Sequence, residues 1–225
     1  MDDDVRGLNR FARWFYNCVS PRYDGLSRKI PKISLMRRDL VGRLNLKPGA
    51  RVLEVSVGTG ANLPIIAERI LPGGRITGID ISEGMLERAR TRAGSIPCPV
   101  ELFLCQAEAL PFPDRSFDAV LHLGGINFFS DRRRAILEMC RVARPGAKIV
   151  ISDETIWPGR HPLLGPLMLA LFPRLNPPVD MVPPAARFEY LLDGHFYVLE
   201  WENDTSFGLN DISSPGEGME LTREE

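Results

Sequence analysis

Histidine and cysteine are scarce in this 225-residue sequence, which holds three of the first and four of the second. Cys18, Cys98, Cys105 and Cys140 are scattered, with no CxxC pair, so neither a disulfide scaffold nor a zinc site of ordinary spacing is expected. None of His122, His161 and His195 stands beside a cysteine pair, and no metal site is expected. Long apolar runs are missing too. The longest, Leu163 to Phe172, is interrupted by Gly165 and Pro166 and is far shorter than the ~20 residues that span a bilayer. The opening Met1-Asp2-Asp3-Asp4 is acidic, the reverse of a secretory leader, which sets the expectation of a cytoplasmic protein. A net charge of −1 argues against bulk nucleic-acid binding.

What is present is globular: 44% hydrophobic and 25% charged residues, in a length that suits one elaborated domain. The charge is unevenly spread. Residues 5–43 carry ten Lys/Arg against Asp24 and Asp39, and residues 193–225 carry nine Asp/Glu against Arg223. Such polarity fits an anionic partner for the basic end, or two ends that face each other.

The middle of the chain alternates strand-like and helix-like segments. Arg51 to Val57 reads as a buried strand, Gly58-Thr59-Gly60 as a turn, and Ala61 to Leu71 as a helix stopped by Pro72-Gly73-Gly74. Arg75 to Asp80 is a second strand. Ser82 then caps a helix with Met85, Leu86 and Ala89 at helical spacing. Val100 to Cys105 and Phe117 to Leu123 read as strands, Asp131 to Ala143 as a helix, and Lys148 to Ser152 as a fifth strand. A short helix is expected within 179–194, a strand over His195 to Glu202, a turn at Asn203-Asp204 and a last strand near 206–212. This pattern predicts an α/β, Rossmann-like fold: a mostly parallel seven-stranded sheet with an antiparallel edge strand and helices on both faces. Residues 1–45 are expected to form a helical cap, and 46–225 the main domain, with a Pro-rich apolar insertion at 154–184. Cap and insertion are expected to roof a pocket above the strand ends, the alternative being that each only packs on the sheet.

The stretch Val52 to Gly60 is the most informative. A dinucleotide fingerprint wants a third glycine three residues past Gly60, where Leu63 stands instead. Glu54 at the strand end would repel a pyrophosphate and suits a ligand with a cationic end. Asp80, twenty residues after Gly60, is placed to accept hydrogen bonds from ribose hydroxyls. An amino-acid end and a nucleoside end describe S-adenosylmethionine better than a nicotinamide dinucleotide.

On these residues the chain resembles the class I S-adenosylmethionine-dependent methyltransferases. Within them it is similar to the ubiquinone/menaquinone biosynthesis C-methyltransferase family. The likeness rests on residues 15–24, on Val52 to Gly60, on Gly78 to Leu86, on Gln106 to Asp114 with Ser116-Phe117-Asp118, on Arg141 to Gly146, and on 161–164 with 171–173. The resemblance implies that Glu54, Ser56, Gly58, Thr59 and Gly60 hold the methionine end, Asp80 the ribose, and Gln106 and Ala107 the adenine. Ile81, Met85, Glu108 and Leu123 complete the implied cofactor contacts. Ser56 stands for the first glycine of the widest class motif, and Gln106 for the family's aspartate, its amide oxygen still an acceptor. After the fourth strand the family carries a Gly-Ile-Arg-Asn-like stretch, and this chain has Gly125-Ile126-Asn127-Phe128. A cation is thus replaced by Asn127 and an amide by an aromatic ring. Asn127 and His122 are the candidate catalytic residues, His122 as a base or, alternatively, as a histidine packed in the sheet.

The expected function is methyl transfer from S-adenosylmethionine to a small, apolar or lipid-like acceptor. A quinone-precursor C-methyltransferase, an NAD(P)-dependent oxidoreductase and a non-catalytic S-adenosylmethionine-binding protein stay open. Peripheral membrane contact is a further expectation, no nucleic-acid partner is expected, and the oligomeric state is left open.

Overall fold

In the computed structural model, residues 7–27, 31–155 and 173–204 are described. Two helices, α1 (Gly7–Ser27) and α2 (Pro31–Arg43), precede β1 (Arg51–Val55), α3 (Leu63–Ile70), β2 (Arg75–Asp80), α4 (Glu83–Ala93) and β3 (Val100–Leu104). Then follow β4 (Phe117–Leu123), α5 (Arg132–Val142), β5 (Ala143–Glu154), β6 (Arg187–Leu191) and β7 (Phe196–Glu202). The seven strands form one sheet in the order β3-β2-β1-β4-β5-β7-β6. The first five are parallel, and β7 runs antiparallel to both β5 and β6.

Alternating side chains send each strand into two cores. Leu53, Val55 and Val120 face one side, where Ile136 and Met139 of α5 cover them. Val52, Leu121 and Val150 face the other, under Ile66 and Ile70 of α3 and Leu40 and Val41 of α2. A sheet buried on both faces explains why its central strands read as near-continuous apolar runs. Helix starts are fixed by side chains: Ser82 Oγ accepts from Met85 N at 3.2 Å, and the Asp131 carboxylate from Arg134 N at 2.9 Å. Strand order reverses between β1 and β4, and this opens a crevice beyond their carboxyl ends.

Three differences from the sequence expectation have physical causes. First, β5 begins at Ala143 rather than Lys148, because Arg144-Pro145-Gly146 forms an irregularity inside the strand instead of a stop. Asn203 stitches it: its N and O bond Ala147 O and Gly146 N at 2.8 Å, and its Nδ2 donates to Cys140 O and Ala143 O at 2.9 Å. Second, the antiparallel edge is a hairpin, β6/β7. Residues 179–181 form one 3-10 turn, and the rest of the expected helix is replaced by β6. Its turn runs through Leu192, Asp193 and Gly194, all with positive φ. The strand expected at 206–212 lies outside the described residues, as does most of the expected insertion, residues 156–172. Third, α2 does not join α1 above the strand ends. It packs Leu40, Val41 and Leu44 on the sheet-face core.

Among the described residues, the basic end reaches the acidic end through Arg43 and Glu200. Arg43 pairs with Glu189 at 2.7 Å and lies 3.8 Å from Glu200. Among the described residues no helix is long and apolar enough to cross a membrane, and no cluster of three or more His, Cys, Asp or Glu could hold a metal ion.

Replacing Asn203 by alanine strips the buried carbonyls at the α5–β5 junction of their donor. Urea unfolding of Asn203→Ala is expected to show a loss of about 1–3 kcal/mol. Unchanged stability would mean that the carbonyls find other donors.

Candidate functional site

The site starts with a turn that only small residues can make. Ser56, Gly58 and Gly60 have φ of 59°, 55° and 76°, so the chain folds back immediately after β1. Gly60 is required twice over. Its φ is left-handed, and a Cβ there would sit 2.7 Å from Leu63 Cδ1 and 3.3 Å from Ala89 Cα. Ser56 is the one non-glycine residue of the three, in a conformation that costs an L-residue about 1–2 kcal/mol. The turn is pinned to β2 by Val57 N donating to Ile79 O at 2.8 Å. Thr59 is buried, and its carbonyl accepts from Arg92 Nη1 at 2.7 Å.

Two carboxylates flank this turn. Glu54, 1% exposed, accepts from Asn62 Nδ2 through Oε1 at 2.6 Å, while Oε2 is buried with no partner among the described residues. Burial pushes its pKa up to about 7, against the Asn62 hydrogen bond and the positive charge of Arg37, with Asp80 adding to the rise. Arg37 reaches the same group indirectly, Nη1 donating to Asn62 Oδ1 at 3.0 Å. Asp80 is buried at the end of β2. Its Oδ1 accepts from Ser82 N and its Oδ2 from Gly58 N, both at 2.9 Å. Burial lifts its pKa to about 6 despite those amide bonds. The Ile81 amide also acts on this carboxylate, which still has acceptor capacity for a ligand. A cationic donor suits Glu54 Oε2, and a pair of hydroxyls suits Asp80.

Helix α1 lies across this crevice. Asn9 Nδ2 donates to Gln106 Oε1 and Glu108 Oε1 at 2.8 Å each, and Asn9 Oδ1 accepts from Ser130 N at 2.8 Å. Eight residues on, Asn17 Oδ1 accepts from Ser82 Oγ at 2.6 Å and Gly84 N at 3.1 Å. The helix therefore bridges the loop after β3 and the start of α4. Glu108 Oε2 is left buried and unpartnered. Met85 and Ala107 are buried, and Ile81 and Leu123 are half-buried at the ends of β2 and β4.

Beyond β4 the chain turns through Gly124 and Gly125, with φ of 82° and 110°, into a 3-10 turn at Ile126–Phe128. Asp153 at the end of β5 holds that turn, its Oδ2 accepting from Gly125 N at 3.1 Å and Asn127 N at 3.0 Å. Asn127 Nδ2 donates to Glu154 O at 2.9 Å, and its Oδ1 is buried without a partner. His122 is fully buried, with Nδ1 3.1 Å from Val55 O, Nε2 unpartnered and its ring 5.2 Å from Phe129. Burial lowers its pKa to about 4, so at neutral pH it is a neutral ring with its proton on Nδ1. Arg174 brings a guanidinium to the turn, Nη1 donating to Phe129 O at 2.5 Å. The motif itself has no cation there.

The structure thus gathers Glu54, Ser56, Gly58, Thr59, Gly60 and Asp80 around one turn, with Gln106 and Glu108 joined to it through α1. Asn9, Asn17, Asn62, Asp153 and Arg174 are absent from the sequence expectation. Asn17 falls within the 15–24 stretch of the family likeness, but neither it nor the others carried a site role there.

The methyltransferase domain family matches residues 53–151. A ubiquinone/menaquinone biosynthesis C-methyltransferase, UbiE, of Bordetella avium (strain 197N) is 34% identical over 153 residues, 64% of this chain and 57% of that protein. The chain therefore spans little more than half the length of that curated relative. Among solved structures, a SAM-dependent methyltransferase of Aquifex aeolicus superimposes with a TM-score of 0.60 at 19% identity, covering 82% of this chain and 98% of that one. The [4+2]-cyclase SpnF does so with a TM-score of 0.59 at 22% identity, covering 68% and 62%. The fold is the Rossmann-like fold of S-adenosylmethionine-dependent methyltransferases. The cyclase shows that this fold alone does not decide a reaction.

A buried carboxyl with a raised pKa has a stability signature. The folded state keeps the Glu54 proton up to about pH 7, whereas an unfolded chain loses it near the ordinary carboxyl value. Between those values the folded state binds more protons, so stability falls as pH rises. In the ligand-free protein Glu54→Gln is therefore expected to raise the melting temperature at pH 8 but hardly at pH 4.5. Equal shifts at both pH values would show that Glu54 is not desolvated.

Proposed function

We propose that this protein is an S-adenosylmethionine-dependent methyltransferase acting on a small, apolar or lipid-like acceptor. One observation carries the reading: Glu54 Oε2, buried and without a partner among the described residues, beside a turn with Leu63 where a dinucleotide site has its third glycine. An α-ammonium would supply the donor that this oxygen lacks and would return the carboxyl to its charged form. Asp80 would accept from both ribose hydroxyls on the lone pairs its amide bonds leave. Gln106 Oε1 already accepts from Asn9, so Glu108 Oε2 and the Ala107 backbone would meet the adenine edge. NAD(P) is disfavoured by the same Glu54.

When bound, the cofactor supplies an electrophilic methyl group on a sulfonium. The chain's own work is to bind, orient and exclude water. Helix α1 would cap the nucleoside through Asn9 and Asn17. Asn127 Oδ1 would hold an acceptor hydroxyl or amine. His122, buried against Phe129 with its pKa lowered to about 4, suits a histidine packed in the sheet better than a base. We place the reaction in the cytoplasm, with no metal and no nucleic-acid partner.

A quinone-precursor C-methyltransferase is the second reading. The name of the Bordetella relative favours it, and Arg174 at the 126–128 turn gives a cation where Asn127 does not.

Calorimetry is expected to show micromolar binding of S-adenosylhomocysteine and none of NAD. Asp80→Ala is expected to weaken S-adenosylhomocysteine by about 1.5–3 kcal/mol. Tighter binding of NAD than of S-adenosylhomocysteine would overturn the reading, and an unchanged constant in a folded Asp80→Ala would remove Asp80 from the site.

A further inference from the structure

Helix α1 is built inside out. Its inward positions are 9, 12, 16 and 20, one face of a helix by spacing. They carry Asn9, Ala12, Tyr16 and Ser20, with Asn9, Ala12 and Ser20 at 3–4% exposure. Its outward positions carry the large rings: Phe11 is 49% exposed, Trp14 62% and Phe15 37%. A helix that only packed on its own domain would turn the opposite face inward. The rings are not scattered. Phe11 lies 6.0 Å from Trp14 and 6.1 Å from Phe15, and Phe15 lies 6.5 Å from Phe128 in near-parallel stacking. One aromatic ridge therefore runs from the open face of α1 to the residue beside Asn127.

The charge on this helix is mostly positive, with Asp24 in its last turns as its one acid. Arg10 and Arg13 alternate with the rings, and no Asp or Glu occurs between residues 7 and 23. Exposed Trp and Phe beside the exposed Arg10 fit the boundary between lipid headgroups and acyl chains, where the rings bury and this guanidinium meets anionic headgroups. A second copy fits less well, because a two-fold contact would press this basic face against itself.

We propose that the outer face of α1 docks the protein on an anionic lipid surface. The polar inner face meanwhile stays on the cofactor crevice through Asn9 and Asn17, so one helix closes the nucleoside side and rests on lipid with the other. The ridge ends at Phe128, and an acceptor dissolved in that surface would enter beside Asn127. This last step rests on the methyltransferase reading; the docking itself does not.

The test is sedimentation of the full chain with vesicles of phosphatidylcholine alone and of phosphatidylcholine with phosphatidylglycerol. Binding is expected only to the anionic vesicles, with release at high salt. The double variant Phe11→Ser/Trp14→Ser is expected to lose at least about tenfold in vesicle affinity with unchanged affinity for S-adenosylhomocysteine. Equal binding of both vesicle types, no binding to either, or unchanged binding by the variant would overturn the proposal. So would a dimer in light scattering that the double variant converts to monomer, because the face would then cover a second copy. Failure of S-adenosylhomocysteine to bind, with vesicle binding intact, would sink the methyltransferase reading alone.

Discussion

A carboxylate with one oxygen satisfied and the other bare, sealed at the end of β1, is the constraint around which the rest is arranged. Burying an ionised carboxylate without partners costs several kcal/mol. The fold lessens that cost without removing it. Asn62 donates to one oxygen, and Arg37 backs Asn62 from α2. That contact gives α2 a reason to lie against α3 rather than above the crevice. Among the described residues no side chain is sent to Oε2, and the carboxyl responds by holding its proton to near neutrality. A group kept in that condition by its surroundings is typical of a binding site and rare in a core that serves only stability.

The second dependence runs through the strand switch. Because β1 and β4 are neighbours while their connections leave in opposite directions, the turn at Ser56–Gly60 and the turn at Gly124–Phe128 face the same crevice. Each is anchored by an acid on an adjoining strand end, Asp80 for the first and Asp153 for the second. Both acids are buried, both have raised pKa values, and both spend their oxygens on backbone amides. They differ in what remains to be held. Asp80 sits beside the bare Glu54, whereas Asp153 positions Asn127, whose Oδ1 is itself bare. A cyclase shares the fold, so these local differences carry the functional argument rather than the sheet.

The sheet was legible in the sequence because its central strands are buried on both faces and read as plain apolar runs. Ser82 could be recognised as a cap, since a capping side chain acts within three residues of itself, whereas Asp131, which reads as the first helical residue, is in fact the cap. Glu54 and Asp80 were legible because a glycine turn fixes their relation in sequence. The residues that close the site were not. Asn9 meets Gln106, Glu108 and Ser130 across roughly a hundred residues, and nothing local announces that pairing. Strand β6 was hidden by its shortness and by the prolines before it, although Asp193-Gly194 is an ordinary hairpin signal. The basic–acidic polarity of the chain had two readings, and Arg43 between Glu189 and Glu200 supports the one in which the ends meet.

Proton release on ligand binding tests the account most directly. Titration of S-adenosylhomocysteine near pH 6.5, in two buffers of different ionisation enthalpy, counts the protons that leave the protein. With Glu54 carrying its proton up to about pH 7 when free and charged when paired with an ammonium, a substantial fraction of one proton should be released. Glu54→Gln should abolish that release. Binding with no release, or the same release from Glu54→Gln, would contradict the claim that Glu54 waits for a cationic ligand.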